Sequence, residues 1–381
     1  MAEQVPVAGQ TQVGGDPFEE MLVNMGPQHP STHGVLRLLI RVSGEYVEDC
    51  RFHIGYLHRC HEKISESQTY VQNIPLSDRL DYVGAVPNGW AQCLAVEKLA
   101  GLEVPARAEY LRVIAAELQR IASHLLFVGT MGTDLGAVTM FLFGMREREM
   151  VIDLLEAMSG ARLTYHYIRI GGVARDLPDG FAERAVRTLD TVLSRIPDYD
   201  DLFTNNRILR ERAERVGVIP AQTALEHGFS GPTLRASGVP YDVRRCDPYG
   251  IYDRFEFDVP LGSNGDVYDR FTIRLREIEQ SSRIVRQALE GIEGVDGPIR
   301  TPIKGRFRPA PGWAYAHVEG ARGDVGYYIV SQGGDSPYRL KVRSPCFGNL
   351  AGLEHLIRGW KIADVVAILG SIDIVLGCVD R

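Results

Sequence analysis

An α+β fold, mainly helical, with a β-rich layer contributed by both ends of the chain, is what the sequence predicts. Three observations carry that expectation. In the middle of the chain apolar residues recur at the helical period, as in Leu111, Ile114, Ala115, Leu118, Ile121 and Leu125. Strand-like apolar runs flank short Gly-containing turns near the N-terminus and again after Val325. A chain of 381 residues with 45% apolar content is long enough for one large core or two smaller ones. The expected organisation is a flexible tail, residues 1–17, followed by a single domain, residues 18–381.

The tail is Gln, Gly, Val and Thr without a period, a composition that buries little. The stretch Gly26-Pro27-Gln28-His29-Pro30-Ser31-Thr32-His33-Gly34 follows, and its prolines bias the preceding residues away from helix. His29 and His33 therefore lie on a rigid turn rather than on one helix face. Val35 to Val42 and Tyr46 to Ile54, around Ser43-Gly44-Glu45, predict a β-hairpin over about 35–54. A helical core is expected from about 56 to 293. Its first helix ends near Asn73 and is stopped by Pro75; Asn88 to Leu99 ends at Gly101, and Pro105 opens the next.

A Gly-rich corner, Gly129 to Gly136, is expected to separate that helix from Ala137 to Met158. Arg162 to Gly172 is aromatic and basic. Asp179 to Ile196 and Asp201 to Arg215 predict two amphipathic helices, whereas residues 216–266 predict irregular structure lying over the core. Asp266 starts a long helix reaching about Ile292. The C-terminal part, about 322–381, is expected to be β-rich, with Val325 to Ser331 and Tyr338 to Arg343 joined by the turn Gly333 to Pro337. No internal repeat is visible.

Composition excludes several classes of function. A net charge of −7 and the absence of a long Lys/Arg run argue against nucleic acid. The cysteines at 50, 60, 93, 246, 346 and 378 form no Cys-x-x-Cys, which argues against a disulfide framework, a zinc finger or a self-held iron–sulfur cluster. A reducing compartment is the default. No basic segment followed by an apolar one opens the chain, so no signal peptide is expected. Ile362 to Val379 is the most membrane-like run, but Asp364 and Asp373 interrupt it, and a soluble chain is expected.

The two-histidine turn lacks the glutamate and third ligand that a zinc hydrolase needs, and the cluster Gly129 to Gly136 lacks the spacing and lysine of a nucleotide loop. Quinone reduction is a third possibility. It takes two electrons and two protons, so it wants proton donors at the carbonyl oxygens; a phenol (pKa about 10) and an imidazole (about 6.5), oriented by a carboxylate, are suited to it. His33, Tyr82 and Asp134 supply the types, although by itself a tyrosine such as Tyr82 is more often a core aromatic and Asp134 a turn or cap residue.

Gly26-Pro27-Gln28-His29-Pro30-Ser31-Thr32-His33-Gly34-Val35-Leu36-Arg37 resembles the quinone-site loop of the 49-kDa (D-type) family of respiratory NADH:quinone oxidoreductase, complex I. Further similarity runs to the end of the chain in family order. It includes Asp81-Tyr82, Arg120-Ile121-Ala122-Ser123-His124-Leu125, Tyr167-Ile168-Arg169-Ile170-Gly171-Gly172-Val173 and Val379-Asp380-Arg381. The resemblance implies that Tyr82 and His33 contact the quinone, that Asp134 pairs with His33 and that His29 supports them. It implies a core like that of the nickel–iron hydrogenase large subunit, without the two Cys-x-x-Cys pairs that hold its metal.

On the same footing, no cofactor is expected in this chain; the substrate is a quinone, ubiquinone or menaquinone, and a [4Fe–4S] cluster lies in the neighbouring subunit. Arg59 is expected near that cluster. The expected partners are the other complex I subunits: the cluster-bearing B-type and the C-type subunits, the H-type subunit of the membrane-arm quinone channel and the ferredoxin-like I-type subunit. The expected location is peripheral, on the cytoplasmic side of the plasma membrane. A related membrane-bound hydrogenase-like oxidoreductase and a non-catalytic scaffold are the alternatives.

Three departures from the family pattern stand out. Cys60 and His61 replace small or neutral residues after Arg59. Thr164 stands where a redox-sensing histidine is usual, with His166 two residues later near the expected cluster. Residues 301–316 are shorter than the family segment.

Overall fold

The computed structural model describes residues 20–303 and 306–381, so the expected tail, 1–17, lies outside the described residues. The molecule is mixed α/β and about half helical, with small sheets. Strands β1 (Glu20–Met25), β2 (Arg37–Ser43) and β3 (Tyr46–His53) form an antiparallel sheet in that order. The hairpin is β2–β3, turned at Gly44 with φ 59, a left-handed conformation that glycine adopts without a Cβ penalty. Leu38, Ile40 and Val42 alternate inward and are buried, so one face of the sheet meets the core. β1 was not expected; it pairs with the other edge of β2, Met25 opposite Leu38.

The next helix is short, His61–Ser67. Pro75 does not stop a helix; it sits in the first turn of Ile74–Asp78, where its missing N–H would have had no helical partner. Helix α1 (Ala85–Ala100) ends on Gly101 in the left-handed conformation, as a glycine C-cap does. Helix α2 (Ala106–Asp134) then runs for 29 residues, most of them buried. Its length corrects the expected corner at Gly129 to Gly136, because Gly129 and Gly132 remain inside the helix. They lie where helix α3 (Val138–Ser159) crosses: a Cβ on Gly132 would come 2.6 Å from Cβ of Met140, and one on Gly129 3.1 Å from Cα of Phe141. Only Leu135 to Ala137 turn the chain.

Asp201 to Arg215 is not one helix. A π-helical turn, Asp200–Thr204, precedes Arg207–Ala213, which Asn206 caps by accepting from the Ile208 N–H at 3.0 Å. Residues 216–266 contain short helices, Ala221–Glu226, Gly231–Ala236 and Val243–Cys246, and the second of these is buried throughout. Part of this segment therefore belongs to the core rather than lying over it. Helix α4 (Val267–Ile292) starts on Asp266, whose side chain accepts from the Asp269 N–H at 2.8 Å.

At the C-terminal end, β4 (Gly312–Gly320), β5 (Gly323–Ser331) and β6 (Arg339–Arg343) form a second antiparallel sheet, against which α1 packs. Two expectations need correction here. The sheets from the two ends are separate rather than one layer. The chain after Arg343 is helical, not β-rich: α5 (Pro345–Ala351), Leu353–Ile357, α6 (Ile362–Ser371) and α7 (Leu376–Asp380). Pro345 in a first turn and Ser344 as N-cap, accepting from the Phe347 N–H at 3.1 Å, switch the chain from strand to helix. Among the described residues no helix is long and apolar enough to cross a membrane, and the run Ile362 to Val379 is broken at Asp373, where φ is 51.

Candidate functional site

Segments distant in sequence meet at one cavity. The 3-10 turn Pro30–Thr32 presents His33, which closes it with φ 54. The buried Thr32 hydroxyl lies 2.7 Å from the His29 carbonyl oxygen and so fixes the turn internally. Helix α2 brings Asp134 at its last residue, and α6 packs against both the turn and α2. His33 Nε2 lies 2.5 Å from Asp134 Oδ2. The C-terminus of a helix is the negative end of its dipole, so a carboxylate there favours a cation beside it. Burial works against the charge on His33. The hydrogen bond and charge of Asp134, with Asp373 further off, outweigh burial and Arg322 and raise the imidazole above its usual pKa.

The cavity has a volume of about 300 Å³, and Tyr82, Asp134 and His33 all line it. Its apolar side comes from Phe127, Phe141, Ile374 and Val375. Tyr82 is 43% exposed although its neighbour Asp81 is buried, so the ring faces the opening and not the core. Burial raises the phenol's pKa, and the Asp81 carboxylate adds to the effect while Arg322 opposes it.

Two residues that sequence reasoning missed hold this arrangement. Arg322, in the turn between β4 and β5, is buried and donates to Asp81 Oδ2 at 3.1 Å, to Asp373 Oδ1 at 3.2 Å and to the Asp373 carbonyl at 2.9 Å. A guanidinium between two buried carboxylates compensates charges that would be costly alone. Asp373, interrupting an apolar run, was the available signal; the arginine that answers it, Arg322, had none. Gly370 is the second omission. A Cβ there would stand 2.9 Å from Asp134 Oδ2 and 3.7 Å from His33 Nε2, so the ion pair packs directly on α6 because no side chain intervenes.

The remaining candidates lie elsewhere. His29 is exposed and does not line the cavity; its Nδ1 accepts from the Ser31 N–H at 3.2 Å and caps the turn. Arg59 and His166 both converge on Arg79. Arg59, exposed, donates to the Arg79 carbonyl, and Arg79 and Arg169 stand near His166. Burial first, then those two arginines, push the His166 imidazole down to about 4. Its backbone N–H donates to Asp78 Oδ2 at 2.6 Å, and burial pushes the Asp78 carboxyl up to about 7. His61, next to Cys60, is likewise lowered to about 4, by burial and then by Arg59. The shortened segment is irregular as far as it is described, and β4 begins at Gly312.

The model of the 49 kDa subunit of respiratory-chain NADH dehydrogenase matches residues 134–304 and 301–381. Proteins named as D-type subunits of NADH-quinone oxidoreductase are similar along nearly the whole chain. The one from Desulforamulus reducens is 51% identical over 362 residues, covering 95% of this chain and 98% of that protein. Those from Dehalococcoides mccartyi, over 364 residues, and Geobacillus thermodenitrificans, over 362, are each 50% identical, covering 95% of this chain and 99% of theirs. With half of its residues identical across nearly its full length, the chain belongs to the family of the 49 kDa subunit of respiratory-chain NADH dehydrogenase.

Proposed function

We propose that this chain is the subunit of a proton-pumping NADH:quinone oxidoreductase that forms the quinone-reducing site with an adjacent cluster-bearing subunit. The single observation that carries the reading is the His33–Asp134 pair lining the same cavity as Tyr82, with an apolar wall beside them. The two electrons come from the neighbour's [4Fe–4S] cluster. This chain supplies the two protons and holds the quinone.

With Nε2 of His33 engaged by Asp134, the proton that the imidazolium can release is the one on Nδ1. That proton and the phenolic proton of Tyr82 together convert a quinone and two electrons to a quinol, leaving a phenolate and a neutral imidazole to be reprotonated. Release from His33 also leaves the Asp134 carboxylate without its cation. Arg322, already shared between Asp81 and Asp373, cannot move to neutralise it. The resulting local negative charge is the signal passed to the membrane subunits.

The finer parts of the proposal follow from the same reading. The fold is that of a nickel–iron hydrogenase large subunit, one domain over 18–381, whose metal cavity has become a quinone pocket. Arg79-Leu80-Asp81-Tyr82 stands in place of the early cysteine pair, and Cys378 alone remains late in the chain. Arg59 and His166 face the cluster of the B-type neighbour, and His29 supports the site only by capping the turn that carries His33; the C-, H- and I-type subunits are further neighbours. The chain sits peripherally on the cytoplasmic side of the plasma membrane.

The test uses the assembled complex carrying His33→Ala or Tyr82→Phe. Quinone reduction is expected to fall by about 100-fold or more, as when a positioned acid is lost, with NADH oxidation by an artificial acceptor retained. Unchanged quinone reduction in both variants, with assembly intact, would reduce this chain to a scaffold.

A further inference from the structure

Six cysteines are free in the structure, and four of them are buried: Cys50, Cys93, Cys346 and Cys378. Two of the four lie together although they are far apart in sequence. Cys346 is in the first turn of α5 and Cys378 in the middle of α7, two short helices that pack on each other. Each thiol is held against the other's segment. Cys378 Sγ is 2.9 Å from Ser344 Oγ, the N-cap of α5, and Cys346 Sγ accepts the N–H of Val375, which precedes α7, at 3.4 Å. Each sulfur is near enough to the other to act on its ionisation.

The pair stands directly behind the cavity. Val375, whose N–H bonds to Cys346, lines it, as does Arg322, whose guanidinium acts on both sulfurs. The environment separates the two thiols chemically. The neighbouring Cys346, with Ser344 and Arg322, holds Cys378 below the usual thiol range against burial and Asp81. Burial first, then the neighbouring Cys378, pushes Cys346 far up. One nucleophilic sulfur beside one protonated thiol is the arrangement that reacts in two steps.

We propose that Cys346 and Cys378 form a redox-active dithiol that a two-electron oxidant of the peroxide class converts reversibly to a disulfide. The Cys378 thiolate attacks the peroxide O–O bond; an S–O bond forms, the O–O bond breaks and, with protons from the medium, the first water leaves. Cys346 then attacks the sulfenic sulfur of Cys378; the S–S bond forms, the S–O bond breaks and its oxygen departs as the second water with the thiol's proton. Two thiols lose two electrons and two hydrogens, and the peroxide becomes two waters. A dithiol such as dithiothreitol reverses the bond by exchange.

The experiment takes the assembled complex purified under dithiothreitol, exposes it to hydrogen peroxide, blocks remaining thiols without reduction and maps the peptides by mass spectrometry. A peptide pair linked through Cys346 and Cys378 is expected, disappearing on renewed reduction. In Cys346→Ser, Cys378 is expected to stop at the sulfenic acid and to react with a dimedone probe. The proposal is overturned if both thiols stay free while the exposed Cys60 and Cys246 are oxidised. It is equally overturned if Cys378 in Cys346→Ser takes up no probe. Neither readout depends on quinone chemistry.

Discussion

The His33–Asp134 contact makes a prediction about pH at the scale of single residues. Asp134 and the more distant Asp373 keep the His33 pKa above its usual value although burial alone would lower it. A raised folded-state pKa means that the charged imidazole favours the fold fully below the unfolded pKa, and that this contribution disappears as pH rises through the folded value. Asp134→Asn leaves burial and Arg322 unopposed by that carboxylate, so His33 should lose its proton at lower pH. The alkaline limb of quinone reduction by the assembled complex is expected to move to lower pH, with the artificial-acceptor rate unchanged. An unmoved limb would separate Asp134 from proton supply. That His33, Tyr82 and Asp134 lie at one cavity was expected only through the resemblance carried by a short loop and two local motifs, since their spacing does not say that they meet. Arg322 was not expected, since its two carboxylate partners come from different parts of the chain and spacing does not encode which arginine they share.

At the scale of elements, the hairpin strands and the long helices followed their periods, and one error fell where glycine has two meanings. Glycine is permissive in turns, but in a helix it also lets another backbone approach. Gly129, Gly132 and Gly144 have the second role at the α2–α3 crossing, so the turn that spacing placed at Gly129 came several residues later. Gly144 makes the sharper test. A Cβ there would stand 2.6 Å from the Leu125 carbonyl oxygen, a backbone atom that cannot swing aside. Glycine to alanine inside a helix gains about 1 kcal/mol of propensity. Overpacking costs about 1–3 kcal/mol, and the immovable oxygen puts this site toward the upper end. Gly144→Ala should therefore lower the melting temperature of the purified chain despite better helix propensity; a rise would mean that the helices separate readily. Asp134, at the end of α2, reaches His33 only if that crossing is kept.

Across the whole molecule, buried charge rather than apolar packing alone fixes how the helices, the 216–266 segment and the C-terminal sheet fit together. Glu117 of α2 accepts from Arg244 at 3.1 Å, from Tyr252 at 2.7 Å and from Ser281 of α4 at 2.7 Å, and Arg120 pairs with it at 3.1 Å. Arg235 joins Glu277 of α4, at 2.6 Å, to Glu319 of β4, at 2.8 Å. All of these side chains are buried. Sequence could not disclose them, because a charged residue in a Gly- and Pro-rich stretch carries no mark of burial, and that stretch read as surface. The network is costly to assemble but more costly to break, since removing one member leaves its partner's charge in a low dielectric.

Glu117→Ala is therefore expected to destabilise the chain by about 3–5 kcal/mol in urea unfolding. Glu117→Gln, which keeps the hydrogen-bonding shape, should cost less. Its acid response provides a separate check. Burial would raise the Glu117 carboxyl, but Arg120 and Arg244 outweigh it and hold the group at about 2, below its ordinary 4.5. A depressed folded-state pKa gives stability that is present above the unfolded value and lost as pH falls toward the folded one. The wild-type urea midpoint should thus fall between about pH 4.5 and about pH 2 more steeply than that of Glu117→Gln. Parallel slopes would place the acid sensitivity in other carboxylates and leave Glu117 as packing alone.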